Sequence, residues 1–88
     1  MMAGIFITFE GPDGAGKSTQ IKKFISYLEE KGYSYKLTRE PGGTELGDRI
    51  RRAVLDPESG KVDERAETLL YLASRAQHVS QLIRPALE

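Results

Sequence analysis

The 88-residue sequence has no cysteine and only one histidine. Without cysteine, disulfides and thiolate metal sites are excluded, and a lone histidine lacks the partners that metal binding needs, so His78 is assigned no role. Charge of neither sign is in excess, because 13 Lys and Arg residues balance 13 Asp and Glu residues. No general basic field therefore favours nucleic acid or an anionic membrane as a partner.

Long apolar runs are also missing from the chain. The longest falls well short of the roughly 20 residues of a membrane-spanning helix, and no basic-then-apolar secretory signal is present. We expect a cytoplasmic protein without nucleic-acid or membrane partners. The length suffices for one small domain that buries about two-thirds of its unfolded surface.

A glycine-rich motif is the most informative feature that the chain does have. Residues 11–18 read Gly-Pro-Asp-Gly-Ala-Gly-Lys-Ser, a complete G-x-x-x-x-G-K-S/T phosphate-binding loop. In such loops backbone N–H groups and a helix N-terminus surround phosphate, the lysine reaches the β and γ phosphates, and the hydroxyl binds Mg²⁺. We predict Lys17 as a catalytic charge, Ser18 as the Mg²⁺ ligand, and an ATP-binding segment of Gly11, Pro12, Asp13, Gly14, Ala15, Gly16, Lys17, Ser18 and Thr19.

The residues around this loop predict an α/β unit. The apolar run 5–9 is typical of a buried parallel strand, and residues 33–38 are suited to a second strand. Between them, apolar residues at helical spacing predict an amphipathic helix that Gly32 ends: Ile21, Phe24, Ile25 and Leu28. The phosphate loop would then lie at the carboxyl end of the first strand.

The second half of the sequence predicts a loop and two helices. Residues 39–44 contain a Pro-Gly-Gly core that breaks regular structure, and residues 47–55 are typical of a short helix. From Asp63 toward Pro85 we predict a long helix that bends near Ser80. One stripe of this helix consists of Ala66, Leu69, Leu70, Ala73 and Gln77.

Four segments together resemble thymidylate kinases in order and spacing: residues 6–11, 13–20, 38–44 and 72–77. The resemblance implies a P-loop nucleoside monophosphate kinase fold, with a parallel sheet flanked by helices. It also implies MgATP-dependent phosphorylation of thymidine monophosphate to the diphosphate, and a homodimer. Asp13 resembles the acidic residue that holds the sugar hydroxyl of the monophosphate and joins the donor and acceptor sites, so the resemblance makes it the second predicted catalytic residue beside Lys17. A carboxylate that only stabilises the loop turn remains the alternative.

Tyr71 and Arg75 are four residues apart, so both project from one face of the long helix. The resemblance implies that Tyr71 stacks on thymine and that Arg75 donates a hydrogen bond to a base carbonyl. The residues alone favour a core tyrosine and a surface arginine. By resemblance, Arg51 lies near the acceptor phosphate and Glu40 and Pro41 belong to the substrate-side loop, although an arginine in this position is also compatible with a solvated surface.

Thymidylate kinases are about twice as long as this chain. The resemblance therefore implies that residues 1–88 form the amino-terminal portion of a single kinase domain, without its lid and adenine-binding loop, and that this portion alone has no turnover. In the family the strand between the two predicted here comes later in the sequence, so these two are not expected to pair. Two alternatives stay open: another small-molecule kinase or nucleotide hydrolase with the same loop, and a non-catalytic phosphate-binding or dimerisation fragment.

Overall fold

A computed structural model describes residues 4–12, 14 and 16–88 of the chain. The chain divides into two compact units, one of residues 5–37 and one that joins residue 4 to residues 38–88. The described residues form helices, turns and irregular segments but no strand. None of the described helices is long and apolar enough to cross a membrane.

The first unit contains helix α1, Lys17–Glu30. Its last residue is Glu30, and the chain reverses at the predicted stop, Gly32, whose φ of 78° glycine adopts without strain. The N–H groups of Gly32 and Tyr33 donate to the carbonyls of Glu29 and Leu28, the paired hydrogen bonds of a Schellman motif. The ring of Phe24, on the predicted apolar face, lies 5.7 Å from that of Phe9.

The two predicted strands are not strands in the described residues. Residues 5–9 and 33–38 carry no regular secondary structure. An extended segment becomes a strand only when its N–H and C=O groups pair with a neighbour, and the family resemblance places a third strand between these two. The predicted parallel sheet is therefore not observed among the described residues, whereas the predicted helices are.

The second unit contains helix α2, Glu45–Leu55, followed by a 3₁₀ turn, Pro57–Ser59. The helix begins two residues before its predicted start because Thr44 caps it, its Oγ1 accepting the Gly47 N–H at 2.9 Å. The carboxylates of Glu45 and Asp48 lie in the first turn, where the positive end of the helix dipole stabilises negative charge. The predicted end at residue 55 is confirmed.

Helix α3, Glu64–His78, begins after Asp63, whose carboxylate accepts the N–H groups of Arg65 and Ala66. A π-helical turn, Val79–Ile83, follows it and leads into α4, Arg84–Leu87. The long helix is confirmed from its predicted beginning, and its regular α-helical pattern is interrupted across Ser80, where a bend was predicted.

Helix α2 packs against α3 through small and polar residues. No apolar side chain of the described residues is fully buried; the buried polar ones are Thr44, Ser74 and His78. Gly47 permits a close approach of the helices, because a Cβ there would lie 2.7 Å from Ser74 Oγ. The predicted apolar stripe of α3 is largely exposed: Ala66, Leu69, Leu70 and Ala73 are exposed, with Leu69 at 67%, and Gln77 is half-buried.

Candidate functional site

The phosphate loop leads directly into the N-terminus of α1. Gly14 and Gly16 have φ angles of 83° and 80°, in the left-handed region that glycine adopts without strain. Gly16 is the N-cap and has no side chain with which to cap the helix. By position, the N–H groups of residues 16–19 have no acceptor inside the helix, which makes this end suitable for an anion.

Lys17 and Ser18 occupy the first two positions of α1. The Lys17 ammonium group turns back over the loop and donates to the carbonyl oxygen of Gly11 at 3.2 Å. Ser18 and Thr19 are exposed, as are Gly11 and Pro12. Two of the predicted loop residues, Asp13 and Ala15, lie outside the described residues.

The exposed Ser18 hydroxyl is compatible with a magnesium ion that arrives with a nucleotide. Mg²⁺ is commonly held by one or two protein oxygens together with substrate phosphates rather than by a complete protein cage. The part of the chain that the structure describes has no cluster of three or more His, Cys, Asp or Glu side chains suited to a metal. An ion held jointly with phosphate needs only one protein hydroxyl, such as that of Ser18, beside the phosphate oxygens.

A cavity of about 370 Å³ lies in the second unit. Four residues that were predicted for the acceptor site from two separate segments line it together: Glu40, Pro41, Tyr71 and Arg75. Thr68 and Leu72 of α3 complete the lining. Tyr71 is half-buried, whereas the Arg75 side chain is 65% exposed.

Glu40 and Arg75 form an ion pair in this cavity. Arg75 Nη2 lies 2.7 Å from Glu40 Oε1, and Arg75 Nε donates to the same oxygen at 2.8 Å. The hydrogen bond from Arg75 lowers the pKa of Glu40 below its ordinary value; partial burial opposes this effect, and His78 adds to the lowering. Glu40 is therefore a carboxylate at neutral pH and balances the charge of Arg75.

His78, to which the sequence assigned no role, contacts Glu40 of this ion pair. Its side chain is only 2% exposed, with Nδ1 3.2 Å from Glu40 Oε2 and Nε2 2.8 Å from Thr38 Oγ1. One turn earlier, the buried Ser74 hydroxyl accepts the N–H of Gly42 at 3.2 Å. Both residues face the loop at residues 38–43. Helical spacing from Tyr71 was the signal that could have found them, because residues 71, 74 and 78 share one face.

Arg51, also predicted for the acceptor site, does not line the cavity of Tyr71 and Arg75. It lies in a second cavity, of about 430 Å³, together with two other arginines, Arg39 and Arg52. The remaining lining residues are Asp48, Leu55, Asp56 and Pro57. Three guanidinium groups against two carboxylates leave this cavity with a modest excess of positive charge.

Comparison with known proteins gives a consistent result. The sequence profile of the family described as thymidylate kinase matches residues 9–88. A thymidylate kinase of an Exiguobacterium species is 55% identical over 87 residues, which are 99% of this chain and 41% of the relative. The thymidylate kinase of Exiguobacterium sibiricum is 57% identical over 86 residues, covering 98% of this chain and 41% of the relative.

A third relative comes from a different genus. The thymidylate kinase of Caldicellulosiruptor saccharolyticus is 58% identical over 87 residues, which cover 99% of this chain and 42% of the relative. The chain thus spans about two-fifths of the length of the curated relatives that it matches.

Proposed function

The chain belongs to the thymidylate kinase family, and from this membership we propose that it forms the amino-terminal part of an enzyme that phosphorylates thymidine monophosphate with MgATP. An oxygen of the monophosphate attacks the γ-phosphorus of ATP, and the bond from that phosphorus to the β–γ bridging oxygen breaks. The products are thymidine diphosphate and ADP. Such transfers depend on positioning and charge stabilisation more than on covalent chemistry by the protein.

The donor side of the proposal uses the phosphate loop. Lys17 leaves the Gly11 carbonyl and binds the β and γ phosphates, where its positive charge offsets the charge of the transferred group. The N–H groups of residues 16–19 bind phosphate oxygens at the start of α1. Ser18 would hold Mg²⁺, which supplies additional positive charge to the phosphates when bound. Asp13 is proposed to bind the sugar hydroxyl of the acceptor.

The acceptor side uses the cavity of Glu40, Pro41, Tyr71 and Arg75. We propose that the half-buried Tyr71 ring stacks on thymine and that the Arg75 guanidinium donates to a carbonyl oxygen of the base. Because Glu40 balances the charge of Arg75, the pair is better suited to an uncharged base than to a phosphate. Arg51, in the more positive second cavity, is proposed to act near the acceptor phosphate.

The observation that carries this proposal is the shared cavity, since the family resemblance predicted its four residues from segments 35 positions apart. The test is to purify the full-length protein that contains this chain and to measure ADP and thymidine diphosphate formed from MgATP and thymidine monophosphate. Equal amounts of both products, dependent on both substrates, support transfer. ADP formed at the same rate without thymidine monophosphate would indicate a nucleotide hydrolase, and no turnover would indicate a non-catalytic phosphate-binding protein.

We also propose that the enzyme is a homodimer. Leu69, Ala73 and Ala76 are exposed on the side of α3 that helical spacing places away from α2. An apolar helix face of this kind is suited to burial against a second copy. Sedimentation of the full-length protein at two concentrations measures its mass in solution, and a monomer at both would contradict the dimer. A cytoplasmic location stays a prediction.

A further inference from the structure

His78 is a fully buried ionisable side chain that the proposed chemistry does not use. Only 2% of it is exposed, yet each ring nitrogen has a polar partner: Nδ1 faces Glu40 and Nε2 faces Thr38. Both partners belong to the loop that borders the acceptor cavity. The ring therefore joins α3 to this loop at two points.

The partners determine the tautomer of the imidazole. The Glu40 carboxylate can only accept, so the proton resides on Nδ1 and is donated to Oε2. In a neutral ring Nε2 then accepts the hydrogen bond of the Thr38 hydroxyl, 2.8 Å away. Each hydrogen bond thus determines whether the imidazole donates or accepts in the other.

The surroundings leave the ring little freedom. A Cβ on Gly43 would lie 2.7 Å from His78 Cδ2 and Nε2, so the loop backbone lies directly against the imidazole. Glu40 is consequently held at both oxygens: Arg75 Nε donates to Oε1 at 2.8 Å and to Oε2 at 3.2 Å, and His78 Nδ1 also lies 3.2 Å from Oε2. A carboxylate whose orientation is fixed by His78 determines where the guanidinium that bonds it can lie.

We propose that His78 is a positioning residue for acceptor recognition: it orients Glu40, and Glu40 in turn presents Arg75 to the base. This inference rests on the proposed function, since Arg75 is assigned to thymine there. His78 itself touches neither substrate nor the transferred phosphoryl group. Its loss should therefore weaken acceptor binding and leave the chemical step nearly intact.

The chain offers variants that separate positioning from simple packing. His78→Leu preserves side-chain bulk but removes both hydrogen bonds. His78→Asn restores an N–H donor near the position of Nδ1 and loses only the contact with Thr38. Ser74→Ala is the matched control, because Ser74 is equally buried on the same helix and bonds the same loop at Gly42 rather than at Glu40.

The experiment is steady-state kinetics of the full-length protein with MgATP and thymidine monophosphate. We expect His78→Leu to raise KM for thymidine monophosphate about fivefold to tenfold, with kcat and KM for ATP changed less than about twofold, and His78→Asn to recover most of the loss. In a Glu40→Gln background, His78→Leu should raise KM for thymidine monophosphate by less than about a further twofold, since His78 acts through Glu40.

Three results would overturn the proposal: a KM unchanged by His78→Leu, an equal rise caused by Ser74→Ala, or a full additional effect in the Glu40→Gln background. A wild-type protein that does not phosphorylate thymidine monophosphate contradicts the proposed function instead, and is distinguished by that inactivity. If His78→Leu does not fold, the proposal is tested instead by ¹⁵N NMR of the wild-type imidazole, which shows which ring nitrogen carries the proton. Protonation at Nδ1 that changes in Glu40→Gln supports the proposal, and protonation at Nε2 alone overturns it.

Discussion

The Arg75 guanidinium meets the Glu40 carboxylate across 35 positions of sequence, with Nε 2.8 Å from Oε1. Arg75 belongs to α3 and Glu40 to the loop before α2, so the pair fixes one wall of the cavity relative to the other. An ion pair this exposed contributes only about 0–1 kcal/mol to folding. Its main consequence is therefore geometric, because it determines which donors face the cavity.

Replacement of Arg75 should alter the choice of acceptor. In Arg75→Ala we expect KM for thymidine monophosphate to rise and the preference over cytidine monophosphate to fall by about 1–3 kcal/mol, because a base carbonyl loses its donor. Competition kinetics measures this preference. Arg65→Ala is the control, since the Arg65 side chain lies on the same helix and is 93% exposed. Equal effects of the two variants would contradict the role of Arg75.

Acid should remove the stability that Glu40 contributes. Arg75, and to a lesser extent His78, lowers the pKa of Glu40 in the folded chain. The Glu40 carboxylate therefore stabilises the protein at pH values above its ordinary pKa of 4.5. That stabilisation is lost as the pH falls through the lowered value. Unfolding of wild type and Glu40→Gln between about pH 3 and pH 7 measures it. The difference in unfolding free energy should be constant near neutrality and shrink below pH 4.5. A difference that grew on acidification would contradict the assignment.

Removal of the Lys17 charge should abolish transfer while the fold persists. Among the described residues, the Lys17 ammonium group donates one hydrogen bond, to the Gly11 carbonyl oxygen at 3.2 Å, so Lys17→Ala is expected to change the melting temperature little. Its kcat should fall by about a thousandfold or more, as expected for a charge that acts on the transferred phosphoryl group. Lys23→Ala, an exposed position on the same helix, is the control. Retained activity in Lys17→Ala would remove the phosphate-loop assignment.

Two glycines with similar φ angles allow the packing around His78 to be tested. Gly43 and Gly32 have φ angles of 88° and 78°, but a Cβ would meet the His78 ring at 2.7 Å only at Gly43. Both alanine variants are strained by about 1–2 kcal/mol because of φ, and Gly43→Ala should lose about 1–3 kcal/mol more through overpacking. Urea unfolding compares them. Equal losses would show that the loop does not lie against the imidazole.

The sequence predicted the helices well because their signals are local. Gly32 ends α1 through its own φ angle, and Asp63 begins α3 through its own carboxylate. The shared face of Tyr71 and Arg75 followed from helical spacing alone. Thr44 could also have been predicted as the N-cap of α2. Because it was not, the predicted start of the helix lies two residues after the observed one.

The remaining features depend on contacts between distant segments. Residues 5–9 have a strand-like composition, but strands require pairing partners that composition does not supply. His78 was interpreted as a lone histidine without a role because metal binding needs several ligands. Its partners, Thr38 and Glu40, are 40 and 38 positions away and became visible only once the loop lay on α3.

The choice of acceptor is the most direct test of the proposed thymidine monophosphate site. Full-length protein is incubated with MgATP and equal concentrations of thymidine, uridine, cytidine and adenosine monophosphates, and the four diphosphates are quantified from initial rates. Thymidine diphosphate is expected to form fastest, because Tyr71 and the Arg75–Glu40 pair are proposed to recognise the base in one cavity. Preferential formation of the cytidine or adenosine diphosphate would contradict this proposal.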